Sequence, residues 1–188
     1  MQVKDIPRED FETLFHRKWS IPILAELKRQ GGSKFVTLQN RLEIGPTALR
    51  QTLDFLIEKQ VIVRNPGYGH PMRPEYILTD QGEPVAAKCK ELVDAVDDHK
   101  VLRLLLMKWS LPTLIAISQG ARRFSELKDT IQSTGRALTL FLKEAQAAGV
   151  VERALIDGYP PAAEYRLAGK ARRLIPILNS LSTQAAPN

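Results

Sequence analysis

The sequence predicts a mainly helical fold with small β-hairpins, an α+β arrangement present in two tandem copies. Three observations carry this reading. The chain's two tryptophans lie in two versions of one segment, Lys18-Trp19-Ser20-Ile21-Pro22-Ile23-Leu24 and Lys108-Trp109-Ser110-Leu111-Pro112-Thr113-Leu114. An internal repeat means that fold and function must be argued for two similar units. The echo then continues in order. Phe35-Val36-Thr37-Leu38 pairs with Phe124-Ser125-Glu126-Leu127, Ala48-Leu49 with Ala137-Leu138, Val61-Ile62-Val63-Arg64 with Val150-Val151-Glu152-Arg153, and Glu75-Tyr76-Ile77-Leu78 with Glu164-Tyr165-Arg166-Leu167. One residue is lost where Gln30-Gly31-Gly32-Ser33-Lys34 faces Gly120-Ala121-Arg122-Arg123, and the offset holds afterwards. Finally, each copy runs from helical apolar spacing into a short β-branched stretch flanked by turn residues.

In the first copy Ser20 is placed to cap a helix, and Pro22 sits in its first turn, where a missing N–H does no harm. Ile23, Leu24 and Leu27 recur at helical spacing up to Gln30, and Gly31-Gly32 ends the run. A short helix over 34–42 follows, with Phe35, Leu38 and Leu42 on one face. Gly45-Pro46 breaks it and starts the next, over 46–59, marked by Leu49, Leu53, Leu56 and Ile57. Val61-Ile62-Val63 suits a strand, Asn65-Pro66-Gly67-Tyr68-Gly69 a turn and Tyr76-Ile77-Leu78 the return strand. Gly82 to Val96 is helical again, with Val85, Ala86, Cys89, Leu92, Val93 and Val96 spaced by three and four. The second copy repeats this order from Ser110 to Leu181, with Asp157-Gly158 as its hairpin turn and a disordered polar tail from Ser182.

A chain of 188 residues divided by such a repeat makes two domains, placed at 1–98 and 99–188. Each buries a modest core, so the two are expected to pack as a pseudo-dimer. Lysine and arginine exceed aspartate and glutamate, 27 to 21, for a net charge of +6. That excludes an acidic solvating chain and permits a polyanionic partner. One cysteine, Cys89, rules out an internal disulfide framework and fits a reducing cytosol. The acid-containing N-terminal residues do not read as a signal peptide. No apolar run approaches the ~18 residues of a membrane span, and Arg103 interrupts the greasiest, Val101 to Met107. The expectation is a cytoplasmic protein.

Two short helices joined by a tight turn and followed by a hairpin form a helix-turn-helix with a wing. The second helix of such a pair can enter the major groove, which at about 12 Å admits one helix. In the first copy that helix turns Leu49, Leu53 and Leu56 inward and Thr47, Arg50, Gln51 and Asp54 outward. Arginine and glutamine can read guanine and adenine edges by paired hydrogen bonds. In the second copy Leu138, Leu142 and Ala145 face inward, and Arg136, Thr139, Leu140 and Lys143 face out.

These residues, in this order, resemble the HxlR-type winged-helix transcription regulators. That family shows a Gly-Lys-Trp-Thr start, an Arg-Phe-Ser-Glu-Leu second helix, a Ser-Pro-x-x-Leu recognition-helix start and a Pro-Pro-Arg-x-Glu-Tyr-x-Leu-Thr wing return. Lys18-Trp19-Ser20 and Lys108-Trp109-Ser110 match the first motif. Arg123-Phe124-Ser125-Glu126-Leu127 matches the second, and Lys34-Phe35-Val36-Thr37-Leu38 loosely so. Gly45-Pro46-Thr47-Ala48-Leu49 matches the third. Pro71 to Thr79 and Pro160 to Leu167 match the fourth. The resemblance implies a prokaryotic transcription regulator whose partner is double-stranded DNA. Family members with one domain work as homodimers on two-fold sites. Two copies on one chain look like a linked pseudo-dimer, which removes the dependence of dimerisation on protein level. The implied operator is an imperfect palindrome with half-sites about 34–36 Å apart.

The DNA-binding candidates are therefore Thr47, Arg50 and Gln51 for one half-site and Arg136, Thr139 and Lys143 for the other. Wing residues Arg64, His70 and Arg73 are candidates for backbone or minor-groove contact, and Arg122 and Arg123 for phosphate. The second copy departs from the family. Ala162 replaces the wing arginine, Leu140 takes the outward place of Gln51, and Leu167-Ala168-Gly169 lacks the threonine of Leu78-Thr79. That copy either reads DNA or serves chiefly as a pairing partner. The rival reading from another class is a winged-helix protein-interaction module. A small-molecule effector and further self-association are compatible with the first reading.

Trp19 and Trp109 are expected in the core, and Cys89, on an apolar stripe, as a buried structural thiol. His16, His70 and His99 lack metal-ligand spacing, so no metal or other cofactor is proposed. Gly67-Tyr68-Gly69 is a turn rather than a phosphate loop, and no nucleophile, base and orienter set supports catalysis.

Overall fold

A computed structural model describes residues 13–65, 75–156 and 162–184. They fall into two compact units, the second running from Ala95 to Thr183 and the first comprising the residues up to Asp94 together with Gln184. Both are mainly helical with small antiparallel strand pairs, and both are winged helix-turn-helix domains.

In the first unit, residues 13–15 are helical and lead into α1, Ser20–Gln30. The N-cap is Trp19 rather than Ser20. The chain is already turning there, with φ −100° and ψ −5° at Trp19 and the Ser20 N–H donating to the Arg17 carbonyl at 3.1 Å. Ser20 consequently enters the helix, and its buried hydroxyl finds no partner among the described residues. Gly31 ends α1 at φ 66°, in the left-handed region that glycine adopts without a Cβ penalty. Strand β1, Ser33–Lys34, precedes α2, Phe35–Leu42. Residues 43–45 make the turn into α3, Pro46–Glu58, with Gly45 as N-cap and Pro46 in the first position.

The hairpin that follows is β2, Ile62–Asn65, and β3, Glu75–Leu78. Its register pairs Ile62 with Leu78 and Arg64 with Tyr76. Sequence spacing did not reveal β1, which adds to the outer edge of β3 by pairing Ser33 with Tyr76 and gives the order β1-β3-β2. A two-residue strand has no periodicity to detect, because its partner lies far along the chain. Most of the expected turn, and the loop up to Pro74, lie outside the described residues.

Helix α4, Gly82–Asp94, packs along α1. The seam carries ion pairs between Lys28 and Glu83 and between Arg29 and Asp94. Its start is clasped to the end of α3. The Thr79 hydroxyl donates to the Gln60 carbonyl at 2.7 Å and accepts from the Gly82 N–H at 2.9 Å. A Cβ at Gly82 would stand 1.9 Å from the Val61 carbonyl oxygen, so only glycine permits this approach.

The second unit opens with α5, His99–Leu105, capped by the Asp98 side chain, which accepts from the Lys100 N–H at 2.8 Å. Sequence reading treated this stretch only as an apolar run. The Ser110 hydroxyl ties it to α6, Ser110–Ser118, by donating to the Leu105 carbonyl at 2.6 Å. Next come α7, Phe124–Ile131, and α8, Gly135–Ala147, whose N-cap Thr134 accepts from the Ala137 N–H at 3.3 Å. Strands β4, Val151–Ile156, and β5, Ala162–Leu167, pair antiparallel. The expected turn Asp157-Gly158 lies outside the described residues.

The counterparts of Thr79 and Gly82 are Ala168 and Ala171. Without that hydroxyl and with a Cβ in place, the chain passes through the 3-10 turn Gly169–Leu174 before α9, Ile175–Gln184. Helix α9 extends three residues beyond the expected end at Leu181, so Ser182 to Gln184 are not tail.

Leu24, Leu27, Leu38, Leu49, Leu53, Leu56 and Cys89 fill the first core, and Leu114, Leu127, Leu138, Phe141 and Leu178 the second. Trp19 and Trp109 are half-buried rather than in these cores. Each sits at the N-terminus of its helix beneath the preceding lysine, with Lys18 Nζ 4.6 Å and Lys108 Nζ 4.9 Å from the ring centroid. Among the described residues no single helix is long and apolar enough to cross a membrane.

Candidate nucleic-acid interface

Each recognition helix owes its orientation to the apolar stripe beneath it. In α3, Leu49, Leu53 and Leu56 are fully buried, and Thr52 also faces inward, its hydroxyl donating to the Ala48 carbonyl at 2.8 Å. Thr47, Arg50, Gln51 and Asp54 are thereby all exposed on the other side. The Arg50 guanidinium lies 5.6 Å from the centroid of Phe35 on α2. This cation–π contact spans the two helices and limits where the side chain can point.

In α8, Leu138, Phe141, Leu142 and Ala145 are buried, and Arg136, Thr139, Leu140 and Lys143 are exposed. The Thr139 hydroxyl donates to the Gly135 carbonyl at 2.8 Å, so its proton is committed within the helix. Position by position, Arg136 replaces Thr47, Thr139 replaces Arg50, Leu140 replaces Gln51 and Lys143 replaces Asp54. At these four positions α3 is neutral, Arg50 against Asp54, whereas α8 carries two positive charges, Arg136 and Lys143.

On the hairpins, Arg64 is exposed on β2. His70 and Arg73 lie outside the described residues. Arg153 is exposed on β4 opposite Tyr165, the register that Arg64 holds opposite Tyr76. Sequence reasoning passed over Arg153, although the repeat itself pairs it with Arg64. It likewise named Arg123 but not Lys34, its counterpart, and both are exposed N-cap residues of the helix before the recognition helix.

Arg122 sits differently. Its guanidinium donates to the Ile117 carbonyl at 3.2 Å near the C-terminus of α6, where a positive charge suits the helix dipole. Its own carbonyl accepts from the Tyr165 N–H at 2.8 Å, which holds the hairpin against the helical part. The Glu126 carboxylate accepts the N–H groups of Arg122 and Arg123 at 2.8 and 3.0 Å. Those bonds hold its carboxyl below the usual glutamate range. Arg122 is thus built into the frame, and Arg123 projects from it.

A small cavity of about 100 Å³ in the second unit is walled in part by Asp97, Asp98, Lys170 and Arg173. These charges pair with one another, Lys170 with Asp98 at 2.7 Å and Arg173 with Asp97 at 3.4 Å. Among the described residues no cluster of histidine, cysteine or carboxylate side chains is arranged to hold a metal ion. Burial pushes the Cys89 thiol up to about 12.

Two helix-turn-helix units, each with a hairpin and an exposed recognition helix, define a tandem winged-helix protein. The family model for HxlR-like helix-turn-helix proteins matches residues 14–102 and again 104–187, and the chain belongs to that family. It is similar to YvaP of Bacillus subtilis, named an uncharacterized HTH-type transcriptional regulator, with 34% identity over 88 residues, 46% of this chain and 82% of the relative. A regulator so named from Methanothermobacter thermautotrophicus is 37% identical over 75 residues, 39% of this chain and 57% of its own. Another, sll1512 of a Synechocystis species, is 33% identical over 94 residues, 50% of this chain and 70% of its own. No solved structure matches significantly.

Proposed function

We propose that the chain is a cytoplasmic DNA-binding transcription regulator, a single-chain pseudo-dimer that reads an imperfect palindrome. Helix α3 offers Thr47, Arg50 and Gln51 to one half-site, and α8 offers Arg136, Thr139 and Lys143 to the other. Arg64, His70 and Arg73 serve the backbone or minor groove, as does Arg123, and Arg153 joins them by its register. Arg122 has a framing role in this scheme. The observation that carries the reading is the pair of outward faces on α3 and α8, exposed at four matching positions in two units of one family.

The test is fluorescence anisotropy of the full chain on duplex from upstream of its own gene, against a scrambled duplex, at two salt concentrations. Preference for the native duplex supports sequence-specific regulation, since non-specific binding rests on phosphate charge alone. One observation favours the rival, a protein-docking module: Leu155 on β4 is 70% exposed. Absence of DNA binding even at low salt would move the assignment there.

A further inference from the structure

The centre of the α8 outward face is apolar. Leu140 is 54% exposed, although four neighbouring positions of the same helix supply a buried stripe. Arg136 lies one turn before it and Lys143 one turn after, both exposed, with the exposed carboxylate of Glu144 next to Lys143. Thr139, beside it, has its hydroxyl proton committed to Gly135. The donors that this face can direct at a ligand therefore stand at its two ends, with a branched hydrocarbon between them.

That pattern fits one feature of duplex DNA. Phosphates flank the major groove, and within it thymine alone displays a methyl group, at C5. Arg136 and Lys143 meet the phosphates while the leucine meets the methyl. Glutamine at the matching place in α3 has the opposite preference, an adenine edge with a donor and an acceptor.

We propose that Leu140 reads a thymine 5-methyl group in the half-site under α8, where Gln51 reads by hydrogen bonds in the half-site under α3. This rests on the DNA-binding function proposed above. It makes Leu140 a specificity-determining residue and the two half-sites chemically different.

The experiment selects 30-base-pair duplexes from a random pool with the full chain and takes the tightest as probe. Each thymine is then replaced singly by deoxyuridine, which removes only the methyl group. Burial of one methyl-sized group is worth about 0.8 kcal/mol, so one position should weaken binding about fourfold. In Leu140→Gln that same position should become indifferent to the replacement. Circular dichroism checks that this exposed substitution leaves the fold intact. A selection that enriches no sequence overturns the function itself. An enriched probe with no sensitive thymine overturns the role of Leu140 alone, as does a sensitivity that persists in Leu140→Gln.

Discussion

The carboxylate of Glu26 on α1, 5% exposed, accepts a hydrogen bond from the Arg41 guanidinium on α2. Arg29 gives it a second partner at 3.3 Å. The pair ties the first core helix to the helix that supports α3. At the matching positions the second unit has Ala116 and Thr130, and Ala116 is buried.

This contrast predicts a non-additive pair of variants. Arg41→Ala leaves a buried carboxylate with one partner fewer and should cost about 1–3 kcal/mol. Replacing both groups, Glu26→Met with Arg41→Ala, should recover most of that loss, because an apolar substitute of similar volume is often neutral. Urea denaturation of the single and double variants reads the difference. Additive losses would show that the pair does not act as a unit.

Arg50→Ala should weaken binding to the cognate duplex by about 1–3 kcal/mol if Arg50 contacts a base edge. Phe35→Leu should weaken it by about 0.5–1 kcal/mol, because the ring aims the guanidinium without touching DNA. Anisotropy at fixed salt measures both. Unchanged affinity in Arg50→Ala would remove α3 from the base-reading role.

The matched outward positions, neutral on α3 and cationic on α8, predict unequal salt responses. Lys143→Ala should reduce the slope of log affinity against log salt by about 1, the contribution of one phosphate contact. Asp54→Lys, which copies the second unit into the first, should increase it by a similar amount. A slope indifferent to Lys143 would place that side chain away from phosphate.

Cys89 should resist alkylation in the native protein at pH 8 and react fully once urea unfolds it. The thiolate is the nucleophile, and burial holds the native thiol protonated up to about 12. The sign of the linked effect follows. The unfolded thiol ionises near 9.0, so its contribution to stability is complete below that pH and declines as pH rises towards 12. Rapid native labelling would contradict the buried position.

Much of this was legible because helices announce their buried side locally. The outward positions of α3 and α8 follow from leucines three and four apart, and the structure exposes every one of them. What escaped depends on distant partners. Ser33-Lys34 becomes a strand only because Tyr76 and Glu75 arrive beside it. Ser20 looked like a cap, but the turn before it made Trp19 the cap instead. Arg122 is a phosphate candidate by sequence, and the carbonyl partner of its guanidinium near the end of α6 became visible only in the fold. The missing threonine at Ala168 was visible in sequence as a departure; its consequence, a 3-10 entry to the last helix, needed the geometry of Thr79 to be understood.

On the proposed function, the exchange of Thr47, Arg50, Gln51 and Asp54 for Arg136, Thr139, Leu140 and Lys143 has a directional consequence. Two identical heads on an inverted repeat give a complex that looks the same from upstream and downstream. Heads of unlike chemistry would give the bound chain a front and a back. Such a complex would present a fixed side to whatever approaches along the DNA, as an arrow does and a ring does not.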